Sequence, residues 1–183
     1  MYNLPKNMFK TLFSLYDSSS PNDILLDITT EGIYFGTPYI VGYVVFNATR
    51  GKPTPDVMFS FSRKGHFNRA CNSIIFDDKA LELTVDGQAI EPIGLFTGKI
   101  DSHARDIWHR LNNNRRNTEL KASYVSVKLL DKVMKVLKLF KVERAYFTRF
   151  YGVEGCGPYI ARGDSADGRY SVNVLYMPIV DKN

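Results

Sequence analysis

The chain has 183 residues, of which 44% are hydrophobic, 13% aromatic and 23% charged, and its formal net charge is +5 at pH 7. This composition excludes intrinsic disorder, collagen and a coiled coil, and the length favours one domain spanning residues 1–183. The longest apolar stretch, Tyr39–Phe46, is too short to span a membrane, and the first residues lack the layout of a signal peptide. We therefore expect a cytoplasmic protein that has no membrane partner.

The first predicted helix runs from Pro5 to Tyr16. Proline suits a first helical turn because its missing N–H has no partner there, and the apolar residues that follow recur at the spacing of one helix face. Lys6 and Lys10 lie together off that face. Short runs of aromatic and β-branched residues then predict strands. The predicted strands are Ile24–Thr29, Gly32–Thr37, Tyr39–Phe46, Val57–Ser62, Ser73–Phe76 and Ala80–Val85.

The following stretch, Gly94–Ala122, has no clear pattern over most of its length. Its Ser102–Leu111 portion is a candidate helix. Residues 112–117, which include Arg115 and Arg116, predict a polar and basic loop. The stretch therefore adds positive charge to the chain without a predictable scaffold.

The clearest element is the helix predicted over Ser126–Phe140, for which Ser126 is a good N-cap. At 100° per residue, lysines cluster on the face opposite to the apolar one, and Lys138 lies to one side of them. The clustered lysines are Lys128, Lys132 and Lys135, and the predicted apolar face consists of Leu130, Val133, Met134, Leu137 and Phe140. Three strands are predicted after this helix: Arg144–Phe150, Pro158–Arg162 and Tyr170–Ile179.

The positive charge is concentrated around the second helix. Residues 101–150 hold 12 of the 24 Lys and Arg residues but only 5 of the 19 Asp and Glu residues. A basic segment on a near-neutral body indicates a polyanionic partner such as nucleic acid, with an ordinary solvated surface as the alternative. Because lysines act as point charges that do not discriminate between bases, we expect binding that is independent of sequence and sensitive to salt.

Motifs for catalysis or metal binding are weak. The three histidines lie in two separate regions, the two cysteines form no CxxC motif, and no P-loop, HExxH or GxSxG occurs. Asp77 and Asp78 with the nearby Glu82 and Asp86 suggest a metal-dependent nuclease, but the rim of an exposed hairpin is the favoured interpretation. We therefore expect a protein that is not an enzyme and holds no metal and no cofactor.

The C-terminal third of the chain carries a family resemblance. Tyr124–Lys138, YVSVKLLDKVMKVLK, resembles the second helix of a DNA sliding-clamp domain, especially the last domain of the bacterial type. Ser171–Ile179, SVNVLYMPI, resembles the terminal strand of bacterial clamps, which finishes in a Met-Pro tail. The resemblance implies an α+β fold, in which two main helices pack on antiparallel sheets in one clamp-like domain. In that alignment the segment at about 94–122 is an insertion.

In that family the helices line the hole of a ring around duplex DNA, and polymerases dock by short peptides outside. The resemblance implies a homo-oligomeric processivity or scaffolding protein that holds duplex DNA and recruits DNA polymerase or other replication proteins. It is compatible with a viral origin, for which the expected location is the host cytoplasm. The implied DNA-binding residues are Lys128, Lys132, Lys135, Lys6, Lys10, Arg115 and Arg116. Met177 and Pro178 match the tail beside the partner-peptide pocket.

Two other functions remain open from the residues themselves. A β-rich protein could bind single-stranded nucleic acid by stacking aromatic side chains on bases, which requires exposed tyrosines such as Tyr34 or Tyr43. A structural or inhibitory module could instead bind another protein through its sheet.

Overall fold

The computed structural model of the chain describes residues 1–15, 25–37, 39–50, 57–62, 70–92, 94–95, 104–105, 108–109, 116–117, 126–151 and 158–176. The helices are α1 (Met8–Phe13) and α2 (Val127–Leu139), and residues 104–105 and 108–109 also have helical backbone. The strands are β1 (Tyr2–Asn3), β2 (Leu25–Thr29), β3 (Gly32–Gly36), β4 (Ile40–Phe46), β5 (Val57–Ser62), β6 (Ile74–Asp77), β7 (Glu82–Val85), β8 (Gln88–Ile90), β9 (Gly94–Leu95), β10 (Arg116–Asn117), β11 (Tyr146–Tyr151), β12 (Tyr159–Asp164) and β13 (Tyr170–Tyr176).

The described strands form two antiparallel sheets. The larger sheet has nine strands in the order β10-β11-β12-β13-β4-β3-β2-β5-β9, and the smaller has four in the order β1-β6-β7-β8. Alternation along the strands separates two faces of the larger sheet. In β4, for example, Val44 and Phe46 join the main core, whereas Val41 and Tyr43 belong to a second cluster on the other face.

The larger sheet is built from two similar units. Each helix is followed by three consecutive strands that pair as neighbours, β2-β3-β4 after α1 and β11-β12-β13 after α2. The third strands of the two units, β4 and β13, pair antiparallel from Tyr170↔Phe46 to Tyr176↔Ile40. This is the arrangement expected of two units related by a local two-fold axis. The sequence shows no repeat at the level of residues, so the repetition is apparent only in the fold.

One face of the larger sheet is covered by α1, α2 and the smaller sheet. Phe9 of α1 packs edge-on against Phe61 of β5, with ring centroids 4.9 Å apart. The ring centroid of Phe46 in β4 lies 5.8 Å from that of Phe76 in the smaller sheet. The helices contribute Met8, Phe9, Leu12, Phe13, Val133, Val136 and Leu137 to the same core. We call this side the helix face.

The opposite face, which we call the outer face, is covered in part by the helical residues 104–105 and 108–109. Ala104 and Trp108 are buried there against Tyr34, and Trp108 lies 5.8 Å from the ring of Tyr43. The segment predicted as a candidate helix over Ser102–Leu111 therefore has helical backbone at residues 104–105 and 108–109.

The predicted α+β class, with two main helices on antiparallel sheets, is confirmed. The first helix is shorter than predicted, since it begins at Met8 after a turn in which the Met8 N–H donates to the Pro5 carbonyl at 2.8 Å. Within the described residues, neither helix has the length and apolarity needed to span a bilayer.

The predicted apolar face of α2 is partly wrong. Leu130 and Met134 are 36% and 37% exposed, whereas Val136, which the prediction omitted, is buried. The reason is that α2 packs on the sheet through one side and against α1 through a flank, which shifts the buried arc towards Val133, Val136 and Leu137. The predicted loop over residues 112–117 is also corrected at its end, because Arg116 lies in strand β10 and pairs with Tyr151.

Candidate nucleic-acid interface

The two helices pack side by side and leave a solvent-facing groove of about 490 Å³ between them. The groove is lined by Asn7, Lys10, Thr11, Ser14, Lys135, Lys138 and Leu139. Every lining residue is basic or uncharged, and lysines come from both helices. Two segments that are far apart in sequence therefore contribute positive charge to one place.

The helix pattern explains why these lysines face solvent. In α1, Phe9 and Leu12 are buried, which leaves Lys10 on the exposed side. Lys10 and Lys138 each lie in the last turn of their helix. Unpaired carbonyls give this end of a helix a partial negative charge, so a lysine there is stabilised. The positions of both lysines thus suit the helices as well as the groove.

The N-terminal half of α2 presents the remaining predicted lysines. Ser126 caps the helix, because its Oγ accepts a hydrogen bond from the Leu129 N–H at 3.4 Å. Lys128 is exposed and Lys132 is half-buried. This cap fixes the residue at which the helix begins, and packing of Val133, Val136 and Leu137 against the core turns these lysines towards the opposite side.

Lys135 forms an ion pair with Asp131, with 2.8 Å between Nζ and Oδ2. Both side chains are more than half exposed, so we expect the pair to contribute about 0.3–0.5 kcal/mol. A phosphate oxygen can compete for such a weakly held ammonium group. Asp131 nevertheless reduces the net charge of this part of the surface.

The structure brings together only some of the predicted DNA-binding residues. Lys10 and Lys135 share the groove, while Lys6 is exposed two residues before α1 begins. Arg116 lies in β10, at one edge of the larger sheet. Three other predicted residues, Arg115, Met177 and Pro178, lie outside the described residues.

Sequence reasoning set aside Lys138, which the structure places in the groove with Asn7 and Ser14. Helical spacing alone showed that Lys138 lies to one side of the lysine cluster. The missing information was which flank of α2 packs against α1.

Base stacking requires an exposed tyrosine ring, and Tyr34 does not provide one. Its side chain is fully buried, and its ring stacks on Tyr43 with centroids 4.1 Å apart. Burial raises the pKa of the Tyr34 and Tyr43 hydroxyls, so both remain protonated at neutral pH. This part of the outer face is a packed aromatic layer and offers no open ring of Tyr34 to a base.

The acidic residues of the β6–β7 hairpin hold the hairpin together. The Asp77 carboxylate accepts hydrogen bonds from the Ala80 and Lys79 N–H groups, which lower its pKa. Asp78 forms an ion pair with the amino group of Met1, and Asp86 accepts from the Ser73 N–H at 3.0 Å. Within the described parts of the chain, no three His, Cys, Asp or Glu residues are grouped to hold a metal ion.

Comparison with known proteins gives no match: no family model, no curated protein and no solved structure matches this chain.

Proposed function

We propose that the protein binds duplex DNA through the outward side of α1 and α2 and serves as a clamp-like processivity or scaffolding protein without enzymatic activity. The observation that carries the proposal is the shared groove, in which Lys10 of α1 lies with Lys135 and Lys138 of α2. Two helices on one face of one sheet, with lysines directed outward, also agree with the arrangement that the sliding-clamp resemblance implies.

The groove has the chemistry of a phosphate-contacting surface. Lysine ammonium groups neutralise phosphates and release counterions, which is the main source of affinity in sequence-independent DNA binding. The Asn7 amide adds a neutral donor, and hydrogen bonds from such side chains to phosphate oxygens position a protein on the duplex. A lysine ammonium group lacks the planar fork with which arginine recognises a base, so no base specificity is expected.

The proposal extends to assembly and partners. The described part of one chain contributes two such helices, so enclosure of DNA requires several copies, whereas a single copy would be held by charge alone. Recruitment of DNA polymerase or other replication proteins would follow in the cytoplasm, or in the host cytoplasm for a viral protein. Light scattering on a sizing column tests enclosure: a mass of about six subunits supports a closed ring, and a monomer at working concentration contradicts it.

The direct test removes the groove charge. The triple variant K10Q/K135Q/K138Q is compared with the wild type and with K79Q/R50Q/R169Q, which loses the same charge at exposed positions outside the groove. Binding to a mixed-sequence 20-base-pair duplex is measured between about 50 and 200 mM salt. We expect the groove variant to lose at least tenfold in affinity and its salt slope to fall by about 2–3, because up to three phosphate contacts are lost.

Equal losses in the two triple variants would mean that diffuse charge, not the groove, binds DNA. Absence of any affinity at low salt in the wild type would contradict the proposed function and favour a protein-binding module. Circular dichroism of each variant confirms that the fold is retained, as expected for exposed side chains.

A further inference from the structure

A row of polar side chains crosses the outer face of the larger sheet. Antiparallel register aligns one residue from each of seven neighbouring strands, so that directly paired residues point to the same face. From β11 to β5 these residues are Tyr146, Arg162, Asn173, Tyr43, Tyr34, Asp27 and Ser60. We call them the polar row.

The half of the polar row at β2 and β3 is closed by partners within the chain. Asp27 is fully buried and accepts hydrogen bonds from the Ser60 hydroxyl and from the Arg105 N–H, the latter at 3.3 Å. The Tyr34 hydroxyl donates to Glu31 Oε2 at 3.2 Å. These polar groups are satisfied inside the protein, so this half of the row has a structural role.

The half at β11, β12 and β13 is open. Tyr146 is 61% exposed, and Arg162 and Asn173 are half-buried. The Nε atom of Arg162 is buried, yet it makes no hydrogen bond within the part of the chain that the structure describes. Buried donors in proteins nearly always have a partner, because leaving one unsatisfied costs free energy. Arg162 therefore has unused hydrogen-bonding capacity next to an accessible surface.

We propose that Arg162, together with Asn173 and Tyr146, forms a binding site for a carboxylate group. The planar guanidinium offers Nε–H and one Nη–H as a parallel pair, which matches the two oxygens of a carboxylate. A carboxylate bound in this way, after a small side-chain rotation, gives the Nε–H its acceptor.

The neighbours of Arg162 complete the site. The Asn173 amide now donates only a long 3.5 Å hydrogen bond to the Tyr43 carbonyl and can turn to the ligand. The Tyr146 hydroxyl provides one more donor at the exposed side. Asp164, the acidic residue nearest along β12, is engaged by the Ser171 hydroxyl at 2.6 Å. Arg162 is the one charged member of the open half of the polar row, and a single guanidinium balances the single charge of a carboxylate better than the double charge of a phosphate.

This site goes beyond the proposed function, because it lies on the face of the sheet opposite to the groove. Its ligand is a carboxylate of a partner peptide, which is either an acidic side chain or a free C-terminus. The two sources share one chemistry and are distinguished by the choice of probe.

The test follows the Nε–Hε signal of Arg162 by ¹⁵N NMR. Sodium acetate is titrated against sodium chloride at matched ionic strength, and sodium phosphate is titrated separately. We expect a saturable shift with acetate and little change with chloride. R162K, which keeps the charge but loses the fork, should abolish the saturable response of the neighbouring Asn173 amide signal. R169K, at an exposed arginine in the turn between β12 and β13, should retain it.

A non-saturating acetate response, or a response equal to that of chloride, would overturn the proposal, and so would tighter binding of phosphate than of acetate. N173S provides a second variant, for which a several-fold weaker acetate response is expected. Two blocked peptides then identify the source: one has a single internal glutamate and an amidated C-terminus, and the other has no acidic side chain and a free C-terminus. Tighter binding of either peptide than of acetate supports the site, and failure of both contradicts it. DNA affinity of R162K should equal that of the wild type.

Discussion

The two faces of the nine-stranded sheet place their polar groups in different ways. On the helix face the sheet itself is apolar, and the charged groups stand one layer away on α1 and α2, where solvent surrounds them. On the outer face polar side chains project directly from the strands, and the buried carboxylate of Asp27 depends on Ser60 of the neighbouring strand and on the Arg105 N–H. Removing a charge from the helix face should therefore change the free energy of unfolding little, whereas removing a buried polar group from the outer face should destabilise the fold.

The largest expected effect is on the core beneath the helices. Phe46 is fully buried and stacks on Tyr2 at 4.3 Å while also contacting Phe76 and Tyr170. Its truncation in F46A should cost about 3–5 kcal/mol, because a large cavity opens between the two sheets. Urea unfolding measures the loss. F147A, at a residue 42% exposed, is the control, and an equal loss there would contradict the assignment of the core.

The comparison of faces is tested most directly by removing one carboxylate from each. D27A leaves the Ser60 hydroxyl and the Arg105 N–H without their acceptor in a buried place, and we expect a loss of about 2–4 kcal/mol. D131A breaks only the exposed pair with Lys135 and should cost less than about 0.5 kcal/mol. Similar losses in the two variants, measured by chemical unfolding, would remove the distinction between the faces.

High pH should weaken the protein through a buried hydroxyl in the main core. Burial raises the pKa of Tyr170 to about 12, above the ordinary tyrosine value of about 10. The unfolded state then loses this proton first, so the contribution is fully present below pH 10 and is lost as the pH rises towards 12. Tyr170 should contribute about 1.4 kcal/mol per pH unit to the slope in that window, beside the other buried tyrosines. Y170F should reduce the slope by about this amount, and an unchanged slope in this variant would assign all of it to other groups.

A smaller effect distinguishes the buried arc of α2 from the apolar face that periodicity predicted. V136A should destabilise by about 2 kcal/mol, because the side chain is fully buried. M134A should cost less than about 1 kcal/mol, since that side chain is 37% exposed. Thermal unfolding of the two variants gives the comparison, and the reverse order would restore the predicted face.

Local patterns predicted most elements of the fold. Ser126 followed by helical periodicity predicted α2 to within one residue at each end, and Val57–Ser62 matches β5. Signals of this kind act within a few residues, where capping and alternation operate. The stretch 94–122 lacked them, so strands β9 and β10 were not predicted. The lysines of α2 were identified from spacing alone, but the groove they share with Lys10 was not.

By itself, the sequence determined where both helices and most of the longer strands form, where positive charge is concentrated, and that lysines lie on the exposed side of both helices. Only the tertiary structure decided how β4 and β13 join the two units, which flank of α2 meets α1, and which residues align in the polar row. Asn173 and Tyr43 are neighbours through strand register, which local sequence does not encode. Pairing between strands that are distant in sequence depends on burying apolar residues on both faces of the sheet at once. The resulting register puts Arg162 on the outer face, opposite to the helices that form the groove.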